Sequence, residues 1–311
     1  MVDFPGGQVQ ILSVDRATVT DAIPHAKGLL DLLTLLLCGS SCTGDDLRTI
    51  RQGLDEVSYS FRGAYLELGS AIKAINPQCV SAFTATASPA DEVEIQKLLG
   101  VAMKVFRCKF DRKNLIFSKR EADSRKEKLH LVKKYLKKYD PHRAVVYCNT
   151  HKAVDAVAAE LEKKHPGQVG KYHSGLTAKE KAHQQIRFCA GEHRIIVATS
   201  AFGMGIDLPD IELVIHFNMP LSMNDYIQQT GRAGRDGGKA HCILLYSSED
   251  FWMASALVEP YENTRLNESL QQMMAYCEDR KHCLKHLMLE ALGQAAGKKC
   301  RFCTNCQAGR L

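Results

Sequence analysis

The sequence predicts an α/β protein whose parallel sheets are covered on both faces, followed by a small helical unit closed by cysteines. Three observations predict it. Short apolar runs alternate with amphipathic helical stretches from residue 79 to 246, a rhythm that implies parallel strands joined by helical crossovers. A glycine-rich loop at 199–207 and a GRAGRDG segment at 231–237 punctuate that alternation. Past residue 263 the strands stop, helix follows helix, and the chain reaches GKKCRFCTNC at 297–306.

Taken in order, the first seventy residues are broken by Gly6-Gly7, Gly39-Ser40-Ser41 and Gly44 and show no clean strand–loop–helix phosphate motif, and 1–54 has no clear character. A strand is expected over 79–84 and a helix over 91–99, then a connecting stretch. The helix over 124–139 sets Leu129, Val132 and Leu136 on one apolar stripe. Its Lys126, Lys128, Lys133, Lys134, Lys137 and Lys138 read as a solvated outer face, with a nucleic-acid face as the other reading. Strands over 144–147, 169–172, 194–198, 213–216 and 240–246 are runs of apolar and β-branched residues, the side chains that suit a buried pleated surface. Helices over 152–164, 178–189 and 223–229 carry the apolar periodicity of covering layers. Active residues are expected at the carboxyl ends of the strands. The domain boundaries expected are 1–104, 105–260 and 261–311.

A chain of 311 residues holds about two compact domains. With 45% hydrophobic and 24% charged residues, wholesale disorder is excluded. The net charge of +6 suits a polyanionic partner without specifying one. Twelve cysteines without a secretory-type start imply reduced thiols inside a cell. The apolar run over 29–38 contains Asp31 and Thr34 and is too short to span a bilayer, so it reads as a buried helix and no membrane partner is expected.

The chemistry sits in four places. In GRAGRDG, small residues let the backbone approach a ligand, while Arg232 and Arg235, three apart, share one helical face. A guanidinium is permanently charged and its fork fits phosphate oxygens, so the pair points to a triphosphate. The loop from Thr199 and Ser200 to Asp207 follows a strand directly. Its hydroxyls and N–H groups suit a phosphodiester backbone, and Asp207 suits a ribose hydroxyl or an ordered water. His173, Ser174 and Gly175 stand in the same position after the strand over 169–172. Finally, Cys283, Cys300, Cys303 and Cys306 offer four thiolates for a closed tetrahedral Zn²⁺ site, with Cys277, His282 and His286 as competitors for the first position.

These residues resemble the RecQ family of DNA helicases. FRGAYLELG at 61–69 and SAFTATAS at 81–88 look like the end of that family's first motor lobe. AVVYCNT, KYHSGL, VATSAFGMGID and GRAGRDG, in this order, look like its second, and the four cysteines match its helical zinc subdomain. The likeness runs from about 55 to 306. It implies RecA-like helicase lobes with parallel sheets, the first lobe truncated, and ATP-driven 3′-to-5′ unwinding of DNA with ATP, Mg²⁺ and structural Zn²⁺ as cofactors. The DNA would be single-stranded or a duplex with a single-stranded tail. By the same resemblance Phe61 and Arg62 are remnants of a DNA-sensing loop, Thr84 and Thr86 link nucleotide state to DNA, and His173, Ser174, Thr199 and Ser200 face the strand. Gly205, Asp207, Gln228, Arg232 and Arg235 face the nucleotide. A role in DNA repair or recombination follows from the family, with a nuclear location, or a cytoplasmic one in a bacterium.

Two departures shape the functional expectation. No G-x-x-x-x-G-K-[ST] loop, whose N–H groups, lysine and hydroxyl cradle phosphates and Mg²⁺, occurs in the 311 residues. The family's acidic box is altered to Leu54-Asp55-Glu56-Val57-Ser58, leaving Asp55 and Glu56 as a pair for Mg²⁺ and water activation or as a surface acidic pair. The expectation is a RecQ-like helicase by family that does not hydrolyse ATP as this isolated chain. The alternatives are a non-catalytic nucleic-acid-binding protein and a subunit that needs a partner lobe.

Overall fold

The computed structural model describes residues 61–77, 79–82, 89–106, 111–203, 208–258 and 264–308. The chain divides into two compact units, 1–107 and 108–311. In the first, the described residues form helices α1 (Phe61–Ile75) and α2 (Pro89–Leu99). Proline opens α2, where its missing N–H costs nothing, and Asp91 and Glu92 sit in the first turn against the positive end of the helix. The strand expected over 79–84 is not formed in its described part, 79–82. A strand needs a paired neighbour, and none lies among the described residues of this unit. The apolar run over 29–38, Asp55, Glu56, Thr84 and Thr86 lie outside the described residues.

The second unit is built on a six-stranded parallel sheet of order β1-β6-β5-β2-β4-β3. Its strands are β1 (Leu115–Glu121), β2 (Arg143–Tyr147), β3 (Val169–Tyr172), β4 (Ile195–Ala198), β5 (Ile211–His216) and β6 (Ala240–Tyr246). Helices α3 (Arg125–Tyr139), α4 (His151–Glu162), α5 (Ala178–Cys189) and α6 (Met223–Thr230) cross between them. Each crossover helix starts at a hydroxyl cap: Ser124, Thr150, Thr177 and Ser222 accept from N–H groups that would otherwise be orphaned. After β6 come α7 (Ser248–Val258), α8 (Thr264–Glu278), α9 (Leu284–Ala291) and the short α10 (Thr304–Ala308). Among the described residues no helix is long and apolar enough to cross a membrane.

Alternation along the strands divides the core into two layers. Ala144, Val146, Val197, Leu213 and Ile215 face α3 and α4. Val145, Tyr147, Ile196, Val214 and Leu244 face the other way, onto Tyr226 and Ile227 of α6 and onto Leu270, Met273, Leu284 and Met288 of the cysteine-bearing helices. The zinc unit therefore shares the core of the sheet. Lys119, a β1 residue buried among apolar neighbours, makes the joint firm. Its ammonium donates to Tyr276 O (2.7 Å), Cys277 O (2.9 Å) and Asp279 O, capping the carboxyl end of α8. Burial pulls this amine down to about 8.

Strand β1 fills what the sequence presented as a connecting stretch. The lysine-rich helix also differs in one position: Lys128 is buried beside Leu131, Val132 and Leu136 and pairs with Asp250. Half-buried Lys133 pairs with Glu160 at 3.0 Å, while Lys126, Lys134, Lys137 and Lys138 are exposed as a solvated face requires.

Candidate functional site

Because β2, β4 and β3 are neighbours and all parallel, the loops that leave their carboxyl ends lie side by side. Asn149 and Thr150 follow β2, Thr199 and Ser200 follow β4, and His173 and Ser174 follow β3. Thr199 N donates to Tyr172 O (3.0 Å) and Cys148 N to Ala198 O (2.8 Å), carrying the sheet's pairing one residue into the loops. The side chains divide by depth. Ser200 is exposed and Ser174 half-exposed, whereas His173 and Thr199 are only 6% and 8% exposed. His173 stacks on His151 at 4.5 Å between ring centroids, and His151 Nε2 lies 2.8 Å from Ser174 Oγ. Burial holds the His173 imidazole below its ordinary pKa, partly offset by Asp155, whose Oδ1 is 3.6 Å from Nε2. Asp155 is itself bound to Lys171 at 2.7 Å, so this edge combines a neutral imidazole with hydroxyls and a compensated lysine.

The arginine segment departs from its expectation in two ways. Helix α6 ends at Thr230, and residues 231–236 form tight turns, so Arg232 and Arg235 do not share a helical face. Within those turns Gly234 takes φ 56°, where a Cβ would lie 2.6 Å from Asn114 Nδ2. The turn is also at the opposite edge of the sheet. Gly234 N donates to Ile211 O (2.8 Å) and Asp236 N to Pro209 O (3.2 Å), at the amino end of β5. The cause is topological: α6 runs back from the carboxyl edge, and the turn after it must enter β6 at the amino edge. Asn114 Nδ2, donating to Gly234 O and Gly238 O at 2.8 and 2.7 Å, and Arg112 Nη2, donating to Ala233 O at 2.9 Å, clamp the turn.

The two arginines then part company. Arg235 is exposed, as is Gln228 on α6. Arg232 is half-buried and donates from Nη1 to Gly203 O at 2.5 Å. Gly203 takes φ 118°, and a Cβ there would fall 2.2 Å from Arg232 Cζ. Burial pushes the Tyr147 phenol up to about 12, and the charges of Arg232 and Arg235 nearby pull against it. Arg232 thus ties the loop after β4 to the arginine turn across the sheet face, a contact that depends on Gly203 having no side chain. Gly203→Ala is expected to lower stability by about 1–3 kcal/mol through backbone strain and overpacking. Thermal unfolding checks this; an unchanged midpoint would mean the contact does not form. Gly205 and Asp207 lie outside the described residues. So do the side chains of Phe61 and Arg62, whose backbone opens α1.

The cysteines converge as their spacing required. The sulfurs of Cys283, Cys300, Cys303 and Cys306 lie within 4.8 Å of one another. Cys300 Sγ and Cys306 Sγ are 4.0 Å apart, close to the roughly 3.8 Å that a tetrahedron with Zn–S bonds near 2.3 Å implies. Arg301, at φ 66°, turns the knuckle so that Cys303 N points at Cys300 Sγ (3.3 Å). Cys300 N and Leu284 N donate to the sulfurs of Cys283 and Cys303, both at 3.4 Å. None of the three competitors joins the cluster: His282 Nδ1 is 2.6 Å from Asp279 Oδ2, and Cys277 and His286 lie outside the four-sulfur group. Burial acts to raise Cys283, but the N–H groups of Cys300 and His286 and the neighbouring thiols outweigh it and bring it down to about 6. Burial pushes Cys300 and Cys303 up, so a cation is what lets them ionise as well. The set fits a structural Zn²⁺ held by these four residues.

Sequence reasoning missed Asn149 and His151, although both lie in the short link between the strand expected over 144–147 and the helix expected from 152. It also missed Arg112, Asn114 and Tyr147, whose roles come only from contacts far along the chain.

Comparison with known proteins agrees with this architecture. The family "Helicase conserved C-terminal domain" matches residues 127–237, and "RecQ zinc-binding" matches 248–307. "ATP-dependent DNA helicase RecQ" of Bacillus subtilis is 32% identical over 259 residues, covering 81% of this chain and 43% of its own length. Mouse "ATP-dependent DNA helicase Q1" is 32% identical over 253 residues, covering 80% of this chain and 39% of its own. R290 of Acanthamoeba polyphaga mimivirus, named provisionally as an ATP-dependent RNA helicase, is 33% identical over 254 residues, covering 80% and 45%. The chain thus spans less than half the length of these relatives. Among solved structures, Saccharomyces cerevisiae Dbp5 bound to RNA and ADP BeF3 shares the fold at a TM-score of 0.50 and 17% identity, over 67% of this chain and 58% of that one. With the parallel-sheet lobe, the four-cysteine cluster and both family matches in one order along the sequence, the chain belongs to the RecQ family of helicases.

Proposed function

We propose that this chain supplies the second motor lobe and the zinc unit of a 3′-to-5′ DNA helicase and holds a single strand along the carboxyl edge of β2, β4 and β3. The observation that carries the reading is the alignment of three hydroxyl-bearing loops on one edge, with exposed Ser200 and half-exposed Ser174 outermost. Hydroxyls and backbone N–H groups grip phosphates without reading bases. Buried His173 and Thr199 shape that edge from beneath. Thr84 and Thr86 would pass nucleotide state to the strand, and Phe61 and Arg62 would sense it. Names of the B. subtilis and mouse relatives favour DNA.

On the nucleotide side, exposed Arg235 is the group assigned to the γ-phosphate, with Gln228, Gly205 and Asp207 around the base and ribose. Arg232, which donates to Gly203 O, is the second arginine assigned to the nucleotide. Asp55 and Glu56 are assigned to Mg²⁺. ATP itself supplies the phosphoryl chemistry, and its cradle must come from a loop that residues 1–311 do not encode.

Two outcomes are expected of the purified chain. Labelled oligo-dT should bind with an affinity that falls steeply as salt rises and varies little with base sequence. Salt-insensitive binding, or tighter binding of oligo-rU than of oligo-dT, would defeat the strand assignment or the choice of DNA respectively. DNA-stimulated ATP hydrolysis should stay at background. Robust turnover that Arg235→Ala abolishes would show that the chain completes the ATP site alone.

A further inference from the structure

Outside the loops themselves lies a buried ion pair that neither the strand edge nor the zinc site accounts for. The side chains of Lys128, in the first turn of α3, and Asp250, in the first turn of α7, are each 4% exposed and in direct contact. Burying two charges costs more than most such pairs return, so stability alone does not explain the pair. A buried carboxylate does offer several directed acceptor sites. Asp250 Oδ1 accepts from Asn218 Nδ2 at 2.9 Å, and Oδ2 accepts from Ser247 N at 3.1 Å and Met219 N at 3.4 Å as well as from Lys128. Three segments are therefore pinned to one group: the start of α3, the start of α7 and the loop after β5.

The network continues toward the strand edge. Asn218, held by Asp250, accepts from Asn149 N at 3.4 Å through Oδ1, and Asn149 Nδ2 donates to Met219 O at 2.8 Å. Asn149 immediately precedes Thr150, the cap of α4, and His151, which stacks on His173 and bonds Ser174. An unbroken path of polar contacts and adjoining residues thus runs from α7, where the match to the zinc-binding family begins, to the edge that carries the hydroxyls.

We propose that Lys128 and Asp250 are positioning residues for strand binding: they fix Asn218, which fixes Asn149 and with it the His151–Ser174 contact. This rests on the strand edge assigned above. The pair touches no nucleic acid. It sets where the loop after β2 stands relative to the loop after β3.

The decisive variant is Asn218→Ala, which cuts the relay in the middle and leaves Lys128 and Asp250 paired, so no buried charge is orphaned. Oligo-dT affinity should weaken about fivefold to tenfold, as expected for losing one neutral hydrogen-bonded link between Asn218 and Asn149. In a double-mutant cycle with Ser174→Ala, the combined loss should be clearly smaller than the product of the single losses. The side-chain ¹⁵N resonances of His151 and His173 should shift in Asn218→Ala. A merely structural role would lower the melting temperature and leave the two affinity losses multiplicative. Multiplicative losses, an affinity within twofold of the parent, or unmoved imidazole resonances would each overturn the proposal. If the parent chain binds no oligonucleotide, the strand assignment fails, and the imidazole resonances still decide whether the relay reaches His151.

Discussion

Cys303→Ser, or removal of zinc by a strong chelator, is expected to unfold the stretch around α9 and α10 and to loosen the sheet beneath it. Four sulfurs within 4.8 Å cannot all carry charge without a cation between them, so the metal-free cluster must protonate and spread. In zinc-finger peptides the metal contributes an apparent 10–16 kcal/mol at neutral pH, about the whole stability of an ordinary domain. Here the loss reaches further than a detached finger would allow. Cys283 and Cys303 sit in the same core as Phe117, Tyr226 and Met288, and Asn305 Nδ2 holds Asp279 O (2.9 Å) and His282 O (2.8 Å). Metal analysis should find about one Zn²⁺ per chain in the parent and none in the variant. Hydrogen exchange should show protection lost first over 279–308 and weakened in β1, where Lys119 N meets Thr304 Oγ1 at 3.1 Å. A zinc-free chain that unfolds with unchanged cooperativity and midpoint would sink the assignment.

What the sequence revealed tracks how local each signal is. The cysteine knuckle is written within one short run of residues and was legible outright. Strands β2 and β4 are buried throughout and apolar but for Arg143, because both faces of the sheet are covered, and β3 and β6 were placed to the residue. Strand β1 escaped because LIFSKRE ends in polar residues, and Lys119 reads as surface. Its partners are carbonyls 157 to 160 residues later, at the end of α8. Lys128 escaped for the same reason: among six lysines of one helix, only the distant Asp250 distinguishes it. The arginines were identified as a pair, but their division of labour turns on Gly203, and their place at the amino edge comes from the direction of α6. The strand expected at 79–84 shows the converse error, an apolar run read without asking what would pair with it.

Acid is expected to destabilise the second unit well before its carboxylates protonate, and His216 is the main cause. The ring is 1% exposed, lies against Tyr147 and Tyr226, and donates from Nε2 to Gln229 Oε1 at 2.8 Å. Protonating Nδ1 would place a second donor where no described residue accepts it, and burial therefore holds the imidazole down at about 4. Burial lowers His165, His173, His193 and His241 in the same direction. Proton counting gives the sign. Between about pH 6.5 and 4 the unfolded chain binds a proton at residue 216 that the folded chain refuses. Stability is then full above pH 6.5 and lost as pH falls, by about 3 kcal/mol from His216 alone once pH 4 is reached. His216→Phe keeps the ring packing, forfeits the bond to Gln229 and cannot titrate. It should be the less stable protein at pH 7, and its deficit should shrink steadily toward pH 4 in urea unfolding at fixed zinc loading. Parallel stability curves for parent and variant would show that His216 is not the titrating group. The same comparison separates the imidazole from the zinc thiolates, which both proteins share and which therefore cancel in the difference.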